Sequence, residues 1–403
     1  MKVAGIVAEY NPFHNGHAHH IERTRTADGS CRATHVVAVM SGNFVQRGEP
    51  AVLPKFDRVR AALAGGVDLV VELPLPWAIA SAEAFASGAV SLLDALGCVD
   101  VLSFGSECGE IEPLQKVADI LLSDRFAGLL RYHLEGGISF PEARQRAVAE
   151  IAGQKNAALL ENANNTLGIE YLKALRRMDS PIRPFTIPRF GAGHDKPLPV
   201  GDMASASYLR GLLAAGRPGN AAPYIPAVPL ELLHEAARAG RCPADPHLIE
   251  RAMLAALRRL TREQLARLPG VSEGLENRLY DAIRTAGSMD ELLSAAKTKR
   301  YPLTRLRRIL LAGFLGLSGG WEDRRPPYIR VLGIGPGGAE ILSAAKGSAL
   351  PLVTRVSQFE SMTEEARRLF ALECRAADLY ALALPTPLPC GTEYTAGMIR
   401  WEA

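Results

Sequence analysis

Six uncharged apolar residues near the start, Val3–Ala8, followed within three positions by Asn11-Pro12, constrain this chain more than any other stretch. A short run without charge suits a strand buried on both faces, and such strands belong to parallel sheets covered by helices on either side. Proline at 12 removes a donor and turns its neighbour away from helix, so the strand stops there. Gly16 comes next, and residues 18–25 read as the start of a helix. His14 and His17 therefore fall between a buried strand and a helix N-terminus. Unpaired backbone N–H groups and the positive end of the helix dipole make that place suitable for phosphate. Two imidazoles there can donate to phosphate oxygens as charge develops during transfer. A pair of ordinary loop histidines would show the same spacing. The preceding strand, Asn-Pro-Phe and the intervening Gly16 favour the functional reading.

The alternation continues down the chain. Residues 35–40, 68–73, 99–104 and 182–188 are further strand candidates, with helical patterns at 55–64 and 80–96 and a mainly helical span over 111–178. Strands alternating with helices at this length predict right-handed crossovers and a doubly wound α/β sheet. Residues 41–50 then form a polar loop at a strand's carboxyl end, where open α/β sheets bind ligands, and Arg47 within it can reach a phosphate or stand in solvent. Lys55 and Arg58 sit on the first turn of a helix, which opposes its dipole; serving a ligand and lying on a plain surface helix are both open readings. Gly105, straight after a strand, allows close approach to backbone or simply a tight turn. Asn164 or Asn165 is expected to cap the helix that follows. Ala204-Ser-Ala-Ser-Tyr-Leu-Arg210 opens another helix, and Ser205, Ser207 and Arg210 make it a second phosphate site, with capping by Ser205 compatible with that role.

Taken together, Asn-Pro-Phe-His14-Asn-Gly-His17 and the late Ser-x-Ser-x-x-Arg helix start resemble the paired signature of the nucleotidyltransferase superfamily. The longer phrases are more particular: Gly5-Ile-Val-Ala-Glu-Tyr-Asn-Pro-Phe-His-Asn-Gly-His17, Ser41-Gly-Asn-Phe-Val-Gln-Arg-Gly-Glu-Pro50, Asn165-Thr-Leu-Gly-Ile-Glu-Tyr-Leu172 and Arg189-Phe-Gly-Ala-Gly-His-Asp195. They resemble the bacterial tRNA(Met) cytidine acetate ligase family over essentially the whole chain. The resemblance implies a Rossmann-like nucleotidyltransferase fold and an ATP-dependent ligase. Acetate and ATP give acetyl-adenylate and pyrophosphate, and the acetyl group passes to N4 of the wobble cytidine of elongator tRNA(Met). It implies nucleotide contacts at Ile6, Val7, Ala8, Glu9, Tyr10, Asn11, Pro12, Phe13, His14, Asn15, Gly16, His17, Ala18 and His19, and at Gly105, Asn165 and Arg189. His14 and His17 are the expected catalytic pair, and Ser205, Ser207 and Arg210 are expected to hold the β- and γ-phosphates. Mg²⁺ is expected to arrive with ATP, with no protein-ligated metal. Pro188 stands where a basic residue is expected, and His19-His20 enriches the first motif.

Beyond residue 216 the character changes. Residues 218–229 are proline-rich and read as a linker, and 230–317 are helical. Lys297, Lys299, Arg300, Arg305, Arg307 and Arg308 form a basic run with no acid between, after a glycine-marked helix joint at 268–279. Such a run is usually a solvated face; after that joint, Lys299, Arg300, Arg305, Arg307 and Arg308 are expected to contact the RNA backbone. Gly333-Ile-Gly-Pro-Gly-Gly338 follows a strand candidate, yet Pro336 within it and the lack of a second Rossmann unit argue for a tight turn in a small C-terminal α/β element. The expected division is 1–215 for nucleotide chemistry, 216–325 for a helical RNA-binding region and 326–403 for the C-terminal element.

With 403 residues the chain has room for several cores. Its net charge of +3 leaves RNA binding to local patches. Six dispersed cysteines without a C-x-x-C pair suggest reduced thiols in a cytoplasmic protein. No apolar run reaches transmembrane length, and no obligatory protein partner is evident. The runner-up activity is a small-molecule adenylyltransferase of cofactor biosynthesis, of the NMN or pantetheine-phosphate type, which the first motif alone would fit.

Overall fold

The computed structural model describes residues 1–27, 31–189, 198–272 and 274–402. Its centre is a twisted sheet built on five parallel strands: β1 Val3–Ala8, β2 His35–Ser41, β5 Leu69–Leu73, β6 Val101–Ser106 and β7 Arg183–Pro188. Between β2 and β5 lies a small antiparallel hairpin, β3 Phe44–Val45 and β4 Glu49–Pro50, whose short strands the sequence pattern did not reveal. The five parallel strands lie in the order β5-β2-β1-β6-β7, so the direction of winding reverses between β1 and β6. Ligands in open α/β sheets bind outside the carboxyl ends of the strands at such a reversal.

Burial explains the unbroken apolar runs. Val37 and Val39 of β2 join one core with Leu69 and Val71 of β5, while Val36, Ala38 and Met40 join another core on the opposite face with Val70. Alternate side chains thus go to opposite faces, and both faces are covered by helices. On the second face lie α1, Asn15–Thr26, and α2, Lys55–Ala64.

The C-terminal element shares the central sheet. β8 Ile329–Ile334 pairs antiparallel with β5 and carries the two-residue strands β9 Leu352–Val353 and β10 Ile399–Arg400 at its sides. The glycine-rich turn after β8 is packed tightly: Gly335 N–H donates to Asp68 O at 2.8 Å, and Gly337 lies against the Asp68 carboxylate. A buried charge network locks this joint. Lys55 Nζ lies 2.5 Å from Glu72 Oε1 and 2.7 Å from Glu393 Oε1, while Arg330 Nη1 lies 2.5 Å from Glu393 Oε2 and 3.1 Å from Glu72 Oε2. Buried charges persist only when paired in this way. The ligand reading of Lys55 is therefore corrected: its ammonium is enclosed by carboxylates of β5 and the C-terminal segment.

The proline-rich stretch after residue 216 is also more ordered than a linker. It forms a 3₁₀ turn, Pro218–Tyr224, and leads into the helix Ala227–Arg238. Ala221, Ile225, Leu233 and Ala236 share a core with Val52, Leu53 and Leu209 of the preceding body. The following helices have a core of their own, in which Leu257, Leu265, Leu279, Ile283, Leu292 and Leu306 meet.

Candidate active site

The carboxyl end of β1 turns abruptly. Tyr10 adopts a left-handed backbone conformation, φ 46°, and the Asn11–Pro12 peptide is cis. Tyr10 and Phe13 fold inward, 1% and 2% exposed, and Tyr10 meets the His17 ring edge-on at 4.9 Å. Arg58, wholly buried on α2, donates from Nη1 to the carbonyls of Glu9 and Ser41 and from Nη2 to that of Gly42. It fastens the exits of β1 and β2 together, so its role is to hold backbone and the ligand reading is corrected here too.

His14 occupies the N-cap of α1. Its Nδ1 accepts from Gly16 N–H at 3.1 Å, and its own N–H donates to His17 Nδ1 at 3.3 Å. The rings stack with centroids 3.8 Å apart. This hydrogen-bond network assigns both tautomers: with Nδ1 accepting, each neutral ring carries its proton on Nε2. Burial, reinforced by the cations Arg189 and Arg210, holds His14 down at about 3, and burial, His14, Arg189 and His20 hold His17 well below the usual histidine range. At neutral pH the pair is thus uncharged and offers two N–H donors.

Across the winding reversal, Phe104 and Gly105 of β6 form the opposite wall. Gly105 leaves room for the Arg189 side chain, which a Cβ there would approach to 3.2 Å. Arg189 Nη1 donates to Asn164 Oδ1 at 3.3 Å. Its remaining wall comes from the helix Ala206–Ala214, capped by Ser205, whose Oγ accepts from Tyr208 N–H at 3.2 Å. Arg210 on this helix donates to Asn11 O at 2.9 Å and to Ser207 Oγ at 3.2 Å, so it ties the late helix to the early loop.

These parts enclose a cavity of about 330 Å³. Of the residues expected from sequence, Ile6, Val7, Ala8, Glu9, Tyr10, Asn11, His14, Gly16, His17, His19, Gly105, Arg189, Ser205, Ser207 and Arg210 line it. Pro12, Phe13, Asn15, Ala18 and Asn165 do not. Phe13 is core, and Asn15 Nδ2 bonds the carbonyls of Asp202 and Pro223. Asn165 is 1% exposed and its Oδ1 accepts from the N–H groups of Glu107 and Cys108, while Asn164 reaches the cavity instead. Neither asparagine is the N-cap of the helix Ala163–Met178, which is Asn162. The first-turn N–H groups of Asn164 and Asn165 are bonded by the Glu107 carboxylate, reaching over from the end of β6. Residues 190–195 of the Arg189 motif lie outside the described residues.

Arg47, whose sequence context allows either role, lines the cavity, and so do His20, Gln46, Phe85, Phe104, Leu167 and Tyr171, which sequence reasoning does not single out. Phe104 carried a readable signal, because it precedes the glycine that opens the wall. The others reach the cavity through tertiary packing. The basic residues stand apart from it: Lys299 and Arg300 lie on the turn before the helix Leu303–Leu315, and Arg305, Arg307 and Arg308 on its first half. Arg305 donates to Gly270 O at 2.9 Å and Ser272 Oγ at 2.9 Å, bracing the glycine-marked joint. The β3–β4 hairpin touches this helix at Gly48, with φ +77°, where a Cβ would lie 2.7 Å from Arg308 N and 2.8 Å from Arg307 C.

A parallel sheet with a helix-capping histidine pair and a facing serine–arginine helix at its winding reversal defines a nucleotide-binding transferase fold. Residues 1–391 match the HIGH Nucleotidyl Transferase family model. A protein of Acetivibrio thermocellus named tRNA(Met) cytidine acetate ligase is 39% identical, over 99% of this chain and 100% of the relative. One of the same name from Syntrophotalea carbinolica is 42% identical over 96% and 95%. Crystal structures of Thermotoga maritima TmcAL superpose with TM-scores of 0.95 for an apo form, at 35% identity, and 0.93 for a form bound with alpha-thio ATP, at 34%; each covers 100% of both chains. The chain belongs to the tRNA(Met) cytidine acetate ligase family of HIGH nucleotidyl transferases.

Proposed function

We propose that this protein is an ATP-dependent ligase that activates acetate as acetyl-adenylate and transfers the acetyl group to N4 of the wobble cytidine of elongator tRNA(Met). The observation that carries this reading is the cavity in which the His14–His17 pair and the Ser205–Ser207–Arg210 group face one nucleotide-sized space. The names of the relatives, and the TmcAL structure with alpha-thio ATP, support it.

An acetate oxygen attacks the α-phosphorus of ATP. A Pα–O bond forms, the bond to the β-phosphate oxygen breaks, and pyrophosphate leaves. Acetate is ionised at neutral pH and needs no base. The Nε2–H groups of His14 and His17 donate to oxygens on which charge develops, and uncharged donors fixed in advance need no reorganisation at that moment. Ser205, Ser207 and Arg210 hold the β/γ end, and Mg²⁺ enters as part of the ATP substrate. Lys299, Arg300, Arg305, Arg307 and Arg308 carry the tRNA backbone, and the reaction runs in the cytoplasm. Radiolabelled pyrophosphate exchange into ATP, with and without acetate, tests the activation step.

A further inference from the structure

The cytidine amine is a weak nucleophile, and its attack leaves a proton that must go to a base. We propose that Glu9 is that base, resting on the reading of acetyl transfer given above. In the transfer, the cytidine N4–acetyl carbon bond forms and the bond from that carbon to the phosphate oxygen breaks. The electron pair leaves on AMP, and the N4 proton passes to the Glu9 carboxylate and then to water.

His14 and His17 do not fit this part. Their Nδ1 atoms accept backbone N–H bonds, so the Nε2 atoms of the neutral rings already carry hydrogen and can only donate. His20 Nε2 is engaged with Ser103 Oγ at 3.0 Å. Among the described residues lining the cavity, Glu9 is the one carboxylate. It stands directly beyond β1, and its Oε1 accepts Gln46 N–H of the hairpin at 2.8 Å, which fixes the carboxylate in orientation.

The surroundings suit proton acceptance. Burial raises the Glu9 carboxyl above its ordinary range, against the pull of the Gln46 N–H, Arg58 from α2, Arg210 from the late helix and Arg47 from the hairpin. Tyr171 also faces it, and its phenol is pushed far up by burial and by Glu9, so it stays protonated. A raised carboxylate is a stronger base, and the surrounding cations allow it to sit beside a phosphorylated substrate.

Glu9→Gln keeps an oxygen for Gln46 N–H and removes the basicity. In single-turnover assays, preformed enzyme-bound acetyl-adenylate is mixed with tRNA(Met), and acetylated cytidine is counted. Transfer should fall on the order of 10²-fold or more, at least tenfold further than acetate-dependent pyrophosphate exchange falls. The wild-type transfer rate should rise with pH through the raised carboxyl range, and the variant should lack that limb. Glu9→Asp, which retains a carboxylate, should recover part of the rate and the limb. Transfer by Glu9→Gln at the wild-type rate, or transfer and exchange falling by equal factors, overturns the assignment. Absence of acetate-dependent exchange in the wild type instead overturns the underlying reading of function.

Discussion

His14 and His17 bond each other's turn of backbone: Gly16 N–H enters His14 Nδ1, and His14 N–H enters His17 Nδ1, with the rings 3.8 Å apart. Flipping either ring gives up the bond that its Nδ1 accepts from the first turn of α1. The helix start therefore fixes where each Nε2 proton points, and burial keeps both rings uncharged at neutral pH.

Replacing His17 by Asn tests the donor directly. The shorter amide oxygen can still accept the His14 N–H, but nothing remains at the Nε2 position. The rate of acetyl-adenylate formation should drop on the order of 10²–10³-fold, with a much smaller change in ATP affinity. Rapid-quench measurement beside equilibrium ATP binding checks it, and a wild-type rate in the variant removes His17 from the chemistry.

Arg210 bridges Asn11 O and Ser207 Oγ at 2.9 Å and 3.2 Å. Lysine in its place keeps charge and loses the planar fork. ATP should bind more weakly, while AMP, lacking the phosphates concerned, should bind almost as before. Calorimetric titration with both nucleotides decides; equal losses would place Arg210 elsewhere in the site.

The buried histidines make the fold sensitive to acid. Burial and nearby cations lower His14 to about 3 and His20 to about 4. The unfolded chain therefore takes up protons first as pH falls below roughly 6.5. The histidine contribution to stability should be level above that value and decline as pH drops toward 5, by roughly 1.4 kcal/mol per pH unit for each proton fully bound in the unfolded state alone, against an opposite contribution from Glu373, whose carboxyl burial and neighbouring Glu72 push up to about 8. His20→Gln, which can still reach Ser103 Oγ, should lessen the decline by up to one proton. Urea midpoints over this pH range measure it, and an unchanged slope would show that His20 is protonated in the folded protein.

Much of this arrangement was legible because it is local. The runs in β1, β2 and β5 could hardly be anything but buried strands, and His14 and Ser205 lie at helix starts whose capping chemistry is written in neighbouring residues. What could not be read depends on partners far along the chain. Lys55 looked exposed because Glu393, which neutralises it, belongs to the C-terminal segment. Asn164 or Asn165 reads as a cap because Glu107, which bonds the first-turn N–H groups, comes from the turn after β6. The antiparallel place of β8 beside β5 likewise has no local signature, since pairing is a tertiary choice.

Arg307 and Arg308 provide a test of the proposed RNA surface. Gly48 touches their backbone, so changing both side chains to Gln leaves that contact in place. Affinity for tRNA(Met) should fall, and the salt dependence should flatten by about one to two units of log K per log salt as phosphate contacts are lost. Filter binding across a salt series checks it, with pyrophosphate exchange measured in parallel without tRNA. Exchange should persist. Unchanged tRNA binding would make the cluster a solvated face, and lost exchange would put the arginines in service of the ATP site through the hairpin.

A cavity that joins ATP to acetate must support acetate-dependent pyrophosphate exchange in the absence of tRNA. Label should enter ATP only when acetate is present, and neither nicotinamide mononucleotide nor phosphopantetheine should substitute for it. Exchange driven by either of those compounds, or no exchange with acetate under conditions where ATP binds, would contradict the account.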